Sequence, residues 1–377
     1  MIPSQVYEKS LRSFLEPILS YLDDPSVSEV MINGPDHIYV ERRGQLSRVD
    51  ARFASQEALL AALRNIAQFV GRPLDAYHPI LEGRLPDGSR IEALLPPISP
   101  DGPSVAIRRF SKDTLTIEKL ISFGSLTPDA SQVLSALVAA KQNIVVAGGT
   151  GSGKTSLLNC LSSFIPESDR VVVIEDAREL QLQQAHVVQL EGRPADARGK
   201  GQITIRDLFK ATLRMRPDRI VVGEIRGGEA LELIQAMTSG HGGCMSTVHA
   251  SYPKDTLSRL ETMALMSSVE LPLSALRSQI GSAIDIIVQV GRVRDGSRRV
   301  THITEVLGCD EHNQYQLQDL FVLEHKDIAA HRGEANRGDQ RATLVPTGVL
   351  PACLEAIRTH GHDLPQAVYA AAKRRQR

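Results

Sequence analysis

The sequence predicts a two-domain α/β protein: a smaller mixed α/β domain, followed by a domain built on a largely parallel sheet. The chain's 377 residues exceed one ordinary domain. From about residue 125, short apolar runs alternate with helical patterns, as in a parallel sheet flanked by helices. The glycine-rich stretch GGTGSGKTS stands between one such run and a helix. These features divide the chain into residues 1–110, a linker at 111–124, a second domain at 125–325 and a C-terminal segment at 326–377.

In the first domain, residues 29–32 and 38–41 read as short strands, with turns at Asn33-Gly34 and Arg43-Gly44. SQEALLAALRNIAQFVG has apolar residues at helical spacing and ends on Gly71. A turn at Pro86-Asp87-Gly88 leads into a strand that Pro96 stops, and SVAIRRF is a further strand. The linker carries one short helix.

In the second domain, Thr127 caps a helix with Pro128 at its first position. NIVVA, RVVVI, RIVVG and CMSTV are apolar runs of the length of buried strands. KTSLLNCLSSF is a helix, and so is GEALELIQAMTSG, closed by Gly240. DIIVQVGRVRDGSRRVTHITEV reads as a hairpin turning at Asp295-Gly296. Beyond about residue 325 the chain is polar, then partly helical. Its basic end, AAKRRQR, reads as a solvated, frayed tail, with acidic lipid or a partner protein as the alternative contact.

Bulk composition narrows the function. A net charge of −1, 4% aromatics and no Trp argue against a nucleic-acid coat or a stacking groove. The four cysteines show no metal-ligand spacing, which suits a reduced cytosolic compartment. No apolar window reaches the length of a membrane span, and the first residues lack the apolar core of a signal peptide.

GGTGSGKTS fits G-x-x-x-x-G-K-[ST] and has the strand-loop-helix context that motif needs. Glycines let successive N–H groups face a phosphate, and the helix N-terminus adds its dipole. Gly148, Gly149, Thr150, Gly151, Ser152, Gly153, Lys154, Thr155 and Ser156 are therefore the nucleotide-binding candidates. Lys154 should reach the outer phosphates, and Thr155 should ligate Mg²⁺.

The metal-side strand RIVVG ends in glycine where aspartate is usual. Glu175 and Asp176, just past VVVI, and Glu224, just past RIVVG, should all emerge on the carboxyl edge where ligands bind. Glu175 is expected to share the metal with Thr155, and Glu224 to orient the attacking water. A helix cap or a loop salt bridge is the alternative for Glu175-Asp176. His241 and His249 are further candidates, His249 standing at a strand end where it could touch the γ-phosphate or relay its presence.

The order of the phosphate loop, IEDARELQL, RMRPDRIVVGEIRGGEA and TSGHGGCMSTVHA resembles the secretion ATPase superfamily of type II secretion, type IV pilus and type IV secretion systems. The stretch from SRLETMALMSS to VTHITEV resembles its tight-adherence (Flp) pilus branch, TadA or CpaF. The resemblance runs from about residue 10 to about 365. It implies a RecA-like ATPase domain behind the N-terminal domain, assembly as a homo-hexameric ring, and ATP with Mg²⁺. It also implies attachment through inner-membrane pilus platform proteins at the cytoplasmic face of the bacterial inner membrane, without direct nucleic-acid binding. Glu175, Glu224 and His249 fall on the family's Asp-box glutamate, catalytic glutamate and His-box histidine, and Gly223-Glu224 is the family's usual form. Family arginines of the N-terminal domain fall on Arg84, Arg90 and Arg108, with surface salt bridges as the alternative. Arg214, Arg216 and Arg226 could assist in the same chain or a neighbour. Other readings are export of protein or DNA by a related motor, a RecA-like nucleic-acid motor, and a non-hydrolysing scaffold.

Overall fold

A computed structural model describes residues 4–42, 44–110, 115–196, 199–293, 296–325 and 342–376. Parts of the turns expected at Arg43-Gly44 and Asp295-Gly296, of the linker, of the segment after 325, and Arg377 lie outside them. The chain separates into two compact units, residues 1–113 with 195–201, and residues 114–194 with 202–377.

The first unit contains α1 (Ser4–Phe14), α2 (Leu19–Asp23), β1 (Val27–Asn33), β2 (His37–Arg42), β3 (Gln45–Arg48), α3 (Gln56–Val70), β4 (Ile80–Arg84), β5 (Arg90–Leu94) and β6 (Ser104–Arg108). The strands form one antiparallel sheet in the order β3-β2-β1-β6-β5-β4. Alternation puts Val30, Ile32, Val40, Ile91 and Ile107 in the core with Leu59, Leu63 and Ile66 of α3. Ser55 caps α3 by accepting from the Ala58 N–H at 3.2 Å, and Gly71 ends it in the left-handed region. The Pro86-Asp87-Gly88 turn joins β5 to β4, a strand that the sequence pattern did not announce.

The second unit contains α4 (Ile117–Ser122), α5 (Pro128–Ala139), β7 (Ile144–Gly148), α6 (Lys154–Ser162), β8 (Val171–Glu175), β9 (Val187–Glu191), α7 (Ile205–Thr212), β10 (Arg219–Val222), α8 (Glu229–Thr238), β11 (Met245–His249), α9 (Pro253–Leu265), α10 (Leu273–Ala283), β12 (Ile286–Arg292), β13 (Arg298–Cys309), β14 (Tyr315–His325), β15 (Ala342–Pro346), α11 (Leu354–Thr359) and α12 (Gln366–Arg375). Nine strands form one sheet, β15-β14-β13-β12-β7-β11-β10-β8-β9. From β12 to β9 the pairing is parallel, and β13 to β15 extend it antiparallel. Helices cover both faces of the parallel part. Hence Ile144, Val145, Val146 and Ala147 of β7 are all buried, an unbroken apolar run. Each fully buried Val or Ile contributes about 1.5–3 kcal/mol.

The C-terminal part is helical in α11 and α12, as expected, and adds a strand that was not expected. β15 pairs with β14, and α12 buries Val368, Ala371 and Ala372. The basic residues Lys373, Arg374 and Arg375 are solvated as expected, but on a helix that continues through Arg375 rather than on a frayed end. No helix among the described residues is long and apolar enough to cross a membrane.

Two buried polar arrangements fix the lower, amino-terminal edge of this sheet. Arg219 is 1% exposed and donates to Asp169 Oδ2 and to the Val138 carbonyl, each at 2.8 Å. Its guanidinium fills the space beside Gly243, where a Cβ would stand 2.2 Å from Nη1. That packing, with a φ of +80°, explains one glycine of TSGHGG. Asp285, in the turn before β12, accepts from the Asn143 N–H at 2.7 Å. Burial, opposed by that bond and aided by nearby Glu305, pushes its carboxyl up to about 6.

Candidate active site

Four neighbouring strands, β7, β11, β10 and β8, carry the candidate residues to one carboxyl edge. Residues 148–153 leave β7 as the phosphate loop, and Lys154 begins α6. Gly151 and Gly153 adopt φ of +68° and +94°, a left-handed backbone that only glycine takes without strain. Gly148 is required for space, because a Cβ would stand 2.4 Å from the Val290 carbonyl. Ser152 Oγ and Lys154 Nζ both donate to the Gly149 carbonyl, at 2.8 and 3.1 Å. Gly149, Thr150, Thr155 and Ser156 belong to the same strand-loop-helix turn.

Lys154 Nζ lies 3.3 Å from His249 Nδ1 and 3.4 Å from Nε2, and His249 Nε2 lies 2.6 Å from Glu224 Oε1. The last approach is short but off the hydrogen-bonding line. Glu224 Oε1 is buried with no aligned donor among the described residues. Its other oxygen accepts from Arg226, through Nε at 2.7 Å and through Nη2. Burial first, then the Lys154 ammonium, holds the His249 imidazole below its usual range, overriding the pull of Glu224. His249 is thus neutral at neutral pH. It can accept from the lysine with one ring nitrogen and face the glutamate with the other.

Glu175 ends β8 and is buried, its Oε1 accepting from the Glu179 and Leu180 N–H groups at 2.9 and 3.0 Å. Gly223 sits against it: a Cβ there would stand 2.9 Å from Glu175 Cγ. The glutamate therefore occupies the room that an aspartate at 223 would need. Thr247 Oγ1 donates to the Gly223 carbonyl at 2.8 Å, and the Ile225 N–H donates to the Thr247 carbonyl at 3.0 Å. These bonds fix the turn that presents Glu224. Thr247 passed as one more β-former in the apolar run CMSTV.

Not every candidate gathers here. His241 precedes β11, at the opposite end from His249, and Arg214 and Arg216 precede β10 on that same amino edge. Only Arg226 of the three assisting arginines reaches the carboxylates, with Asp176 Oδ2 3.9 Å away. Arg84, Arg90 and Arg108 lie in the first unit, where the register pairs Arg84 with Arg90 and Arg90 with Arg108. They form one row across β4, β5 and β6. The row continues onto β1, where Glu29 stands opposite Arg108, so the surface ion pairing left open by the sequence has an acidic group at hand.

Of the expected Mg²⁺ ligands, Thr155 lies in the first turn of α6, while Glu175 Oε1 is held by two backbone N–H groups and Asp176 faces Arg226, as in the cap or salt-bridge alternative. Glu175, on β8, is packed against Gly223, and two strands, β10 and β11, separate β8 from the strand that carries the phosphate loop.

The family model described as type II/IV secretion system protein matches residues 13–341. The chain belongs to the type II/IV secretion system protein family. With its phosphate loop complete, it is a P-loop ATPase of that family. The type IV secretion system protein PtlH of Bordetella pertussis is 34% identical over 318 residues, 78% of this chain and 94% of the relative. Conjugal transfer protein TrbB of Rhizobium radiobacter is 33% identical over 313 residues, 82% of this chain and 92% of the relative. The ATPase DotB of Legionella pneumophila has a similar fold, with a TM-score of 0.54, 20% identity, and coverage of 80% of this chain and 82% of that one.

Proposed function

We propose that this chain is the ATP-hydrolysing motor of a type IV-class secretion or pilus machine, and specifically of a tight-adherence pilus. The observation that carries hydrolysis is the linked set Lys154, His249 and Glu224, in which a buried glutamate oxygen lacks an aligned donor. With His249 moved off it on nucleotide binding, the Glu224 carboxylate would accept from the attacking water and orient it. Lys154 and the loop N–H groups hold the phosphates. Thr155 and Glu175 would hold Mg²⁺, which when bound offsets phosphate charge. Arg84, Arg90 and Arg108 are proposed as an anion-binding row, and assembly as a homo-hexamer on inner-membrane platform proteins at the cytoplasmic face is part of the same reading.

Glu224→Gln should bind ATP and fail to turn it over; normal turnover would sink the assignment. The pilus reading rests on the stretch from SRLETMALMSS to VTHITEV. Export of protein or DNA is the second reading, favoured by relatives named for conjugal transfer and type IV secretion. Deleting the gene separates them: loss of surface pili supports the first, and loss of DNA or effector transfer with pili intact supports the second.

A further inference from the structure

We propose that Arg298 is a positioning residue for the phosphate loop, setting its affinity for ATP. The inference rests on the reading of residues 148–155 as the ATP site. Ser152 and Lys154 brace this loop from within, on the Gly149 carbonyl. Arg298 braces it from outside: Nε donates to the Gly151 carbonyl at 2.8 Å, across 147 residues of chain. The arginine stem also lies along the loop, since a Cβ on Gly153 would stand 3.3 Å from Arg298 Cδ.

The Gly151–Ser152 peptide needs such a brace. Gly151 on its one side and Gly153 just beyond sit in the left-handed region, and its own N–H holds only a long bond, 3.3 Å, to the Gly149 carbonyl. Rotation of this peptide would carry its carbonyl toward an incoming phosphate and repel it. Holding the Gly151 oxygen fixes the plane before the nucleotide arrives, so less ordering remains to be done on binding.

The brace is itself anchored. Arg298 opens β13 opposite Arg292, its carbonyl accepts from Ser125 Oγ at 2.6 Å, and the Val300 N–H donates to the Ser125 carbonyl at 2.9 Å. The arginine therefore projects from a strand end tied both to its hairpin partner and to the segment after α4. Sequence spacing gave no sign of this contact.

The test measures binding of a fluorescent ATP analogue and steady-state ATPase kinetics on the full chain, for wild type, Arg298→Ala, Arg298→Lys and Lys154→Ala. Arg298→Ala should weaken binding and raise KM about five- to tenfold, with kcat within about twofold. Its Tm should stay within about 2 °C of wild type. Arg298→Lys should recover most of the affinity, because an ammonium can also donate to the carbonyl. Wild-type affinity in Arg298→Ala, a fall in kcat at unchanged KM, or a loss of affinity that tracks a loss of Tm would each overturn the inference. If wild type itself binds no better than Lys154→Ala, the ATP-site reading fails instead.

Discussion

Gly223 and Glu175 compete for one space: a Cβ on residue 223 would stand 2.9 Å from Glu175 Cγ. The absent aspartate and the buried glutamate are therefore one structural choice. Gly223→Ala should destabilise the fold by about 1–3 kcal/mol through overpacking. Combined with Glu175→Ala, which vacates the space, the two losses should sum to less than their separate values by about 1 kcal/mol. Chemical unfolding of the four variants checks this, and strict additivity would contradict it.

Glu224 is presented by a turn stitched through Thr247 and has one oxygen without an aligned donor. Glu224→Gln keeps the shape and removes the charge. Its kcat should drop about 10²- to 10⁴-fold while ATP affinity stays within a few-fold. Thr247→Val should lower kcat more mildly, since it loosens the turn without touching the carboxylate. Rapid-mix phosphate release with separate nucleotide binding distinguishes the two effects.

His249 is held below the usual histidine range by burial and by Lys154. The unfolded chain takes up this proton near pH 6.5, and the folded chain only at lower pH. Between those values the unfolded state binds more protons, so the contribution to stability is present above about pH 6.5 and lost as pH falls. The stability margin of wild type over His249→Asn should therefore shrink between pH 7 and pH 5. A margin that is flat or that grows on acidification would rule this out.

Asp285 runs the other way. Its carboxyl is raised to about 6 in the fold, so its stabilising contribution is present below the unfolded value near 4 and is lost as pH rises through 6. Asp285→Asn can still accept from the Asn143 N–H without carrying charge. It should gain roughly 1–2 kcal/mol at pH 8 and nothing at pH 4, the half-buried carboxyl retaining some solvent screening. Urea melts at the two pH values decide it.

Much of this was legible in the sequence, and the exceptions have a common cause. The phosphate loop, the Thr127-Pro128 helix start and the four buried parallel strands carry local signals, namely glycine spacing, capping chemistry and unbroken apolar runs. β9, β14 and β15 carry weaker ones, because their half-buried positions mix polar and apolar residues. Glu175, Glu224 and His249 could be placed on the ligand edge because each ends an apolar run. What Gly223, Gly243 and Arg298 do could not be read, since each answers to a neighbour distant in sequence. His241 lay in the right motif but at the wrong end of its strand.

The strand order has a bearing on biosynthesis. Lys154 meets His249 and Glu224 only after β11 has slotted between β7 and β10, later in synthesis than either. A nascent chain that has emerged only as far as the glycine-rich loop lacks both sheet neighbours of β7, since β11 and β12 are made later. On the ribosome, fuel consumption waits until the sheet has closed around its middle strand.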